Sequence, residues 1–425
     1  MKATVVQRFR AGWSRAPLAG WLFGGFVAVA LERFAGTPLA LAVGLPKVPA
    51  LFGLDIMLKK PLLIPNALLY VLLIYGLPAG IVTRAMVGPA NRVAVWLFRL
   101  PTWLATVVYL LFLYAILDIW AEVSDYRAVV LKLTLIAIMF TLSLNVINGY
   151  MGEFSCSHPG FMALGAYCAS VFSLGLFVDT RFFGAALLPP ALGPYLFPVA
   201  LLLGGGLAAA GALIVAIPSF RTRGDYLAII SLAFLFIVKS LIENLEFVRG
   251  PRGLSGQPDW ATLPTVFLWT VVCIWTINNF VRSTLGKALN AVRDNEMAAG
   301  AMTVDTRRTK MVAFLFSAFW AGVAGGLFAH VLRYVNPATF GIQSLAEVLA
   351  MVYFGGLNSV YGSIVGAVSI SLLGEALRPL EIFKWIIIPL LLILVMIYRP
   401  TGLVAFKDVD VAALLRPRSG PPGEG

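Results

Sequence analysis

The sequence predicts an all-α polytopic membrane protein with roughly ten transmembrane helices. Three observations predict it. Hydrophobic residues make up 60% of the 425 and charged residues only 12%, where a soluble domain is about half apolar with glycine included and roughly a quarter charged. The apolar residues gather in runs of membrane-crossing length, about 20 residues each. The basic surplus, a formal +12, collects in short segments between those runs, as Lys and Arg do on the cytoplasmic side of a membrane. Such loops face an anionic leaflet, so the charge requires no nucleic-acid partner.

Taken in order, the runs lie near 17–31, 62–82, 102–121, 128–147, 159–178, 195–217, 227–242, 263–281, 311–332, 345–375 and 383–398. The N-terminus MKATVVQRFRAGWSR, with Ala28-Val29-Ala30 beyond it, has the form of a signal peptide, but an uncleaved first span is the expectation in so hydrophobic a chain. The fragment near 37–54, interrupted by Pro46 and Lys47, is expected at the membrane interface. Lys2, Arg8, Arg10 and Arg15 at the N-terminus, Arg84, Arg92 and Arg99 in the loop after 82, and the stretch 282–310 all read as cytoplasmic. Residues 1–127 read as an N-terminal extension with about three transmembrane segments, 128–404 as a core, and 405–425, ending SGPPGEG, as a disordered cytoplasmic tail.

The stretch 345–375 breaks the pattern. If 311–332 runs outward and 383–398 inward, it crosses twice or not at all. As one helix it would be about 46 Å long, too long for one crossing and too short for two. Its middle reads FGGLNSVYGS, and NGYMGEFSCSHPGFMALGAY at 148–167 likewise mixes Gly, Ser and Pro where two apolar runs meet. Non-helical backbone at membrane depth survives only where protein shields it or a watery cavity lies beside it. Broken or re-entrant segments are therefore expected near 148–167 and 345–375. Gly149, Gly152, Ser155, Gly160, Gly165, Tyr167, Glu347, Gly355 and Gly356 are the candidate residues of a translocation pathway. AGVAGG at 321–326 is expected to serve helix packing.

Catalytic chemistry has little to stand on. No GxxxxGK[ST] is present, so the chain holds no P-loop. Cys156, Cys168 and Cys273 and the two histidines form no metal-ligand or disulfide spacing. His158 and His330 are expected to be hydrogen-bonded structural residues. The intramembrane charges that stand out are Lys132, Lys239 and Glu347, and such charges are functional hypotheses by default. Lys239 reads as snorkelling to the interface. Glu347 reads equally as an interfacial cap or a pathway residue. An ion-coupled secondary transporter would need an intramembrane relay of carboxylates or histidines, and the sequence offers almost none.

The segment TLGKALNAVRDNEMAAGAMTVDTRRTK places Leu285, Leu289, Val292, Glu296 and Ala299 near helical spacing, so an amphipathic cytoplasmic helix is expected. Its small face, Ala298, Ala299 and Gly300, suits a groove on a partner protein. A helix resting on the membrane surface is the equal alternative.

At these residues the sequence resembles a known family. EMAAGAMTVDTRRTKMVAF is similar to the EAA-type coupling loop of bacterial ABC importer permeases. The order GYMGEFSCSHPGFMALGAY, FRTRGDYLAIISLAF, GPRGLSGQP, AFLFSAFWAGVAGGLFAHVLRYVNPATF, SLAEVLAMVYFGGLNSVYGSIVGA and RPTGL resembles the LivM-type permeases of branched-chain amino acid importers over roughly 128–404. Departures fall at Ser157, Thr303, Asn358 and the pair Val248-Arg249, where that pattern carries glycine (Thr-Gly in the pair), and at Ser231, where it often carries threonine.

The resemblance implies a transport subunit of the bacterial inner membrane, not an enzyme. It implies a second LivH-like permease, two cytoplasmic ABC ATPases that use ATP and Mg, and a periplasmic or extracytoplasmic solute-binding protein as partners, with no cofactor or metal on this chain. Branched-chain amino acids are the implied cargo, with urea or short amides as the alternative within the family and a secondary transporter further off. Arg293, Glu296, Ala298, Ala299 and Gly300 are the implied ATPase-coupling residues, with Glu296 as anchor. The loops 243–262 and 333–344 are the implied docking ground for the binding protein.

Overall fold

A computed structural model describes residues 17–54, 60–179, 183–220, 226–399 and 402–404. The basic N-terminus, residues 221–225 and the tail 405–425 lie outside the described residues. The chain divides into two compact units, one running to Ala128 and including Glu375–Pro379, the other formed by Val129–Gly374 and, among the described residues, the chain from Leu380 to 404.

The first unit holds α1 (Leu18–Ala42), α2 (Ile64–Ala85), α3 (Val87–Phe98) and α4 (Thr102–Ala121). Three of these, α1, α2 and α4, are long and apolar enough to cross a membrane. The first run, expected to end near 31, extends into the fragment expected to be separate near 37: α1 runs through Pro38 to Ala42. A proline inside a helix is unfavourable by itself, but Ala40 and Leu45 bury against Tyr70 and Ile74 of α2, and that packing carries the helix past it. The stretch after Ala85, expected as a loop, is helical instead. In α3 the residues Ala90, Ala94 and Leu97 are buried while Arg92 and Trp96 stay exposed, an amphipathic spacing hidden by the Gly-Pro pair at its start.

This unit also contains a buried ion pair that hydropathy passes over. Glu32 is 2% exposed and Arg127 1%. The guanidinium grips the carboxylate with two bonds of 2.9 Å and donates a third, 2.8 Å, to the Pro49 carbonyl. Tyr70 and Tyr75 donate their hydroxyls to the same carboxylate, Trp120 lies 5.0 Å beneath the guanidinium, and its indole N–H donates to Tyr75. Both carboxylate oxygens and both terminal guanidinium nitrogens have partners, and such hydrogen bonding is the condition for burying two charges.

The second unit is built from α5 (Asp125–Asn145, entering from the first unit), α6 (His158–Phe177), α7 (Gly193–Ser219), α8 (Tyr226–Asn244), α9 (Leu263–Arg282), α10 (Thr284–Asp294), α11 (Glu296–Ala301), α12 (Thr306–Leu332), α13 (Ile342–Gly355), α14 (Val360–Ala376) and α15 (Glu381–Tyr398). Nine described helices of the whole chain meet the length and hydropathy of a membrane span, and three shorter apolar ones lie at 342–355, 360–376 and 386–398. Together they make an all-α polytopic membrane protein. The expected double break is present: α13 ends at Gly355 and α14 begins at Val360. At about 1.5 Å per residue these two helices reach roughly 21 and 26 Å, each short of a ~30 Å hydrocarbon layer.

Helices α6, α7 and α12 form the tightest part of the core. A Cβ on Gly165 would stand 2.0 Å from the Gly322 carbonyl, and one on Gly322 would stand 2.6 Å from Ala208 Cβ. Glycine at the crossing lets the backbones touch, the small-residue packing that membrane helices use in place of hydrophobic drive. On one flank of the unit, β1 (Leu254–Ser255) pairs antiparallel with β2 (Tyr334–Val335), so the two loops expected to face a binding protein are stitched into one surface. Tyr334 Oη donates to the Arg252 carbonyl at 3.0 Å, and Arg333 Nε to that of Gln257 at 3.1 Å.

Three departures from the resembled pattern now have a physical meaning. Arg249, Thr303 and Asn358 carry φ of 61°, 67° and 54°, the left-handed region that glycine occupies freely. Asparagine tolerates it, but a β-branched residue there is strained. Thr303 closes the end of α11, where Val304 N–H donates to Ala299 O at 3.1 Å. Replacing Thr303 by Gly should stabilise this turn by about 1 kcal/mol, relief of strain minus added chain entropy. Hydrogen exchange at the Val304 amide should then slow several-fold, and unchanged exchange would mean that no strain is stored there.

Candidate translocation and coupling site

Two broken helices meet in the second unit. After α5 the chain widens into a π-type turn, Val146–Met151, and then runs without helix through 152–157 until α6 begins. Gly152 ends the turn at φ 75°, a conformation that suits glycine. The other break is 356–359. Asn145 fastens one to the other. Its amide donates to the Ser359 carbonyl (3.0 Å) and to Ser363 Oγ (2.7 Å), and its oxygen accepts the Asn358 N–H at 3.3 Å. Gly149 faces this rivet so closely that a Cβ would lie 2.0 Å from Asn145 Oδ1 and 2.5 Å from Asn358 N. Freed backbone groups at membrane depth must find partners inside the protein, and here they do. Ser155 N–H donates to Asn148 Oδ1 (3.2 Å), Cys156 N–H to Ser231 Oγ (2.9 Å), and the hydroxyls of Ser155 and Ser157 are 2.9 Å apart.

His158 opens α6 fully buried. Ser317 Oγ donates to the Ser143 carbonyl at 2.5 Å and lies 2.8 Å from His158 Nε2. The serine proton is committed to that carbonyl, so the network assigns the histidine as the Nε2–H donor. It is a structural residue, joining α6, α12 and α5. His330 bonds the Gly326 carbonyl and Ser173 in the same spirit.

The basic segment 283–310 folds as a helix, a break and a second helix rather than one continuous helix. Ser283 caps α10 by accepting Gly286 N–H, and Asn295 leaves helical geometry (φ −161°, ψ 103°) to cap α11 by accepting Ala298 N–H. Asparagine prefers the N-cap over a helix interior, and that preference divides the amphipathic stretch in two. Leu289 and Val292 are buried, whereas Met297 and Met302 are 83% and 77% exposed.

Charged side chains join this segment to the first broken helix. Lys310 Nζ donates to Glu153 at 2.7 Å and to Glu296 at 2.9 Å. Arg293 packs over Gly152, where a Cβ would stand 2.3 Å from its Cγ. Its guanidinium donates to the Gly149 carbonyl at 3.4 Å and is held by Asp294 at 2.9 Å. The turn 146–153 thus rests on the charged segment through two cations.

The sequence-derived residues separate accordingly. Gly149, Gly152, Ser155, Gly355 and Gly356 belong to the paired breaks. Gly160 packs against Phe234, Gly165 lies in the α6–α7–α12 crossing, and Tyr167 Oη bonds the Val335 carbonyl; these three serve packing. Glu347 is neither a cap nor alone: it lies inside α13 and pairs with Lys384 of α15 at 2.7 Å. Of the coupling set, Ala298 and Gly300 are exposed, Ala299 is buried, Arg293 points to the broken turn, and Glu296 is tied to its own chain by Lys310. Hydropathy alone missed Asn145, Asn148 and Lys384. Polar residues within apolar runs are the signal that marks them.

Residues 126–397 match the family model described as branched-chain amino acid transport system / permease component. The chain is 32% identical over 339 residues to the high-affinity branched-chain amino acid transport system permease protein LivM of Escherichia coli, covering 71% of this chain and 76% of that one. It is 24% identical over 292 residues to LivH of Salmonella typhimurium, across 65% of this chain and 92% of that one. It is also 25% identical over 176 residues to BraD of Pseudomonas aeruginosa, across 39% and 54%. No solved structure matches.

Proposed function

The chain belongs to the branched-chain amino acid transport system permease family, and on that premise we propose that it is one permease subunit of a bacterial ABC importer, carrying branched-chain amino acids inward with ATP hydrolysed on separate subunits. The partners are a second, LivH-like permease, two cytoplasmic ATPases and an extracytoplasmic solute-binding protein, in the bacterial inner membrane with the N-terminus cytoplasmic.

One observation carries the reading: an exposed turn that is bonded directly to a broken membrane helix. Met297, Ala298, Gly300 and Met302 are free to seat on an ATPase, methionine being an adaptable contact side chain. Behind them Arg293 and Lys310 reach the turn 146–153. Movement of α10 and α11 by the ATPases would shift that turn, and with it the Asn145 junction to 356–359. A ligand-driven change needs an element with two arrangements and a differential contact to each, and two interrupted helices joined to each other at Asn145 are suited to supply it. The stitched surface of β1 and β2 supports docking of the binding protein on the opposite side.

The test is reconstitution. Proteoliposomes holding this chain with the second permease, the ATPases and the binding protein should accumulate leucine, isoleucine or valine only while ATP is hydrolysed. Uptake at full rate by this chain alone without nucleotide would overturn the reading.

A further inference from the structure

Packing within the N-terminal unit accounts for only one side of α3. Its 12 residues rise about 18 Å, short of a ~30 Å hydrocarbon layer, and its neighbours in sequence, α2 and α4, are both of spanning length. Ala90 and Leu97 pack in one cluster with Ala19 in the first turn of α1 and Ala105 in the first turn of α4. Thr83, in the last turn of α2, donates to the Gly20 carbonyl at 3.2 Å, and a Cβ on Gly20 would stand 3.6 Å from Ala90 Cβ. The start of α1, the end of α2 and the start of α4 therefore meet at α3. It lies across one end of this helix group, at a membrane face.

The other side of α3 is basic and aromatic. Arg92, Trp96 and Arg99 are exposed and recur at helical spacing, away from the buried Ala90, Ala94 and Leu97. With Asn91 and Val95 they line an open groove of about 350 Å³. No Asp or Glu occurs from 56 to 117, and among the described residues no ion pair neutralises Arg84, Arg92 or Arg99. Trp96 is 61% exposed, Phe98 48% and Trp103, just beyond, 67%. Tryptophan collects at headgroup level, and cations there are drawn to an anionic leaflet. An acidic protein surface would satisfy the arginines but not the rings beside them.

We infer that α3 is a binding site for an anionic phospholipid, Arg92 and Arg99 taking the headgroup phosphate and Trp96 lying between them at the acyl-chain boundary. The planar guanidinium matches phosphate oxygens with a fork of donors, and a basic helix with rings on its exposed side is suited to lie in the interface. The inference does not depend on the transport reading. The family model begins at residue 126, so α3 belongs to the extension that the model does not cover. The site gives that extension a task of its own, a charge-selective hold on the surrounding leaflet.

The full chain in phosphatidylcholine vesicles tests it, with brominated phosphatidylglycerol or brominated phosphatidylcholine added at equal mole fraction as the fluorescence quencher. The sequence has 10 tryptophans, so the Trp96 signal is read as the difference between wild type and Trp96→Phe. That signal should be quenched about threefold or more better by the anionic lipid, as expected for arginines beside an anionic headgroup. Arg92→Gln with Arg99→Gln should bring the two lipids level. At roughly 0.5 M salt, where screening reaches within about 4 Å, the preference should at least halve, a readout that leaves both arginines in place. Equal quenching by the two lipids with the arginines intact would overturn the inference and leave the groove to an acidic protein surface. A preference that survives unchanged in the double variant, or in high salt, would overturn it as well.

Discussion

Arg127→Met should destabilise the N-terminal unit by about 3–5 kcal/mol, the cost of leaving a buried charge without its counter-ion. The two sides of the pair are fully desolvated, the carboxylate accepts from Arg127, Tyr70 and Tyr75, and the guanidinium fills the space over Trp120. Removing the cation leaves Glu32 with two phenolic donors and no charge partner. The chain must then protonate the carboxylate or open a path for water, and either loosens the packing of Ala40, Tyr70 and Ile74. Hydrogen exchange in residues 64–76 of the detergent-solubilised protein should rise by two orders of magnitude or more. The double variant Glu32→Leu with Arg127→Met should recover most of the loss, because a buried pair exchanged for apolar side chains of similar size is often neutral or stabilising. A single variant as stable as wild type would show that water already reaches the pair.

Lys310→Met should uncouple the machine: leucine uptake falling tenfold or more, with ATP hydrolysis by the assembled complex largely retained. Lys310 is 9% exposed on its side chain and stands between Glu153 at 26% and Glu296 at 53%. The inner arm is the better shielded from water and salt, so Glu153→Gln should harm uptake more than Glu296→Gln; half-exposed pairs contribute little. That ordering reverses the weight the sequence placed on Glu296. Exchanging the signs, Glu153→Lys with Lys310→Glu, should restore part of the uptake lost in each single variant. Transport and hydrolysis falling in parallel in Lys310→Met would mean that the residue holds the fold and transmits nothing. Uptake at wild-type rate would remove it from the mechanism.

The membrane class was legible from composition and run length, because lipid tolerates only segments that are apolar and internally hydrogen-bonded. The break at 345–375 was legible too, since its length fitted neither one crossing nor two. The second interruption, at 148–157, showed through its Gly, Ser and Pro content. Less visible were residues whose role depends on what stands opposite. Gly165 and Gly149 are the same residue type in neighbouring segments, yet one faces the Gly322 backbone and the other the Asn145 amide. Glu32 sat at the end of an apolar run, and only the arrival of Arg127 from 95 positions away explains how it is buried. Asn295 was read as part of one amphipathic helix, although its side chain is what ends that helix and begins the next.

The sequence by itself determined that this chain lives in a membrane, where its helices break, and to which transport family it belongs, because hydropathy, chain-breaking residues and motif order are properties of a line. Only the tertiary structure decided which charges are paired, which glycines pack and which frame a break, and that Lys310 ties Glu296 to Glu153. Hydrogen bonds and ion pairs fall off within a few ångströms, and separation along the chain says nothing about separation in space.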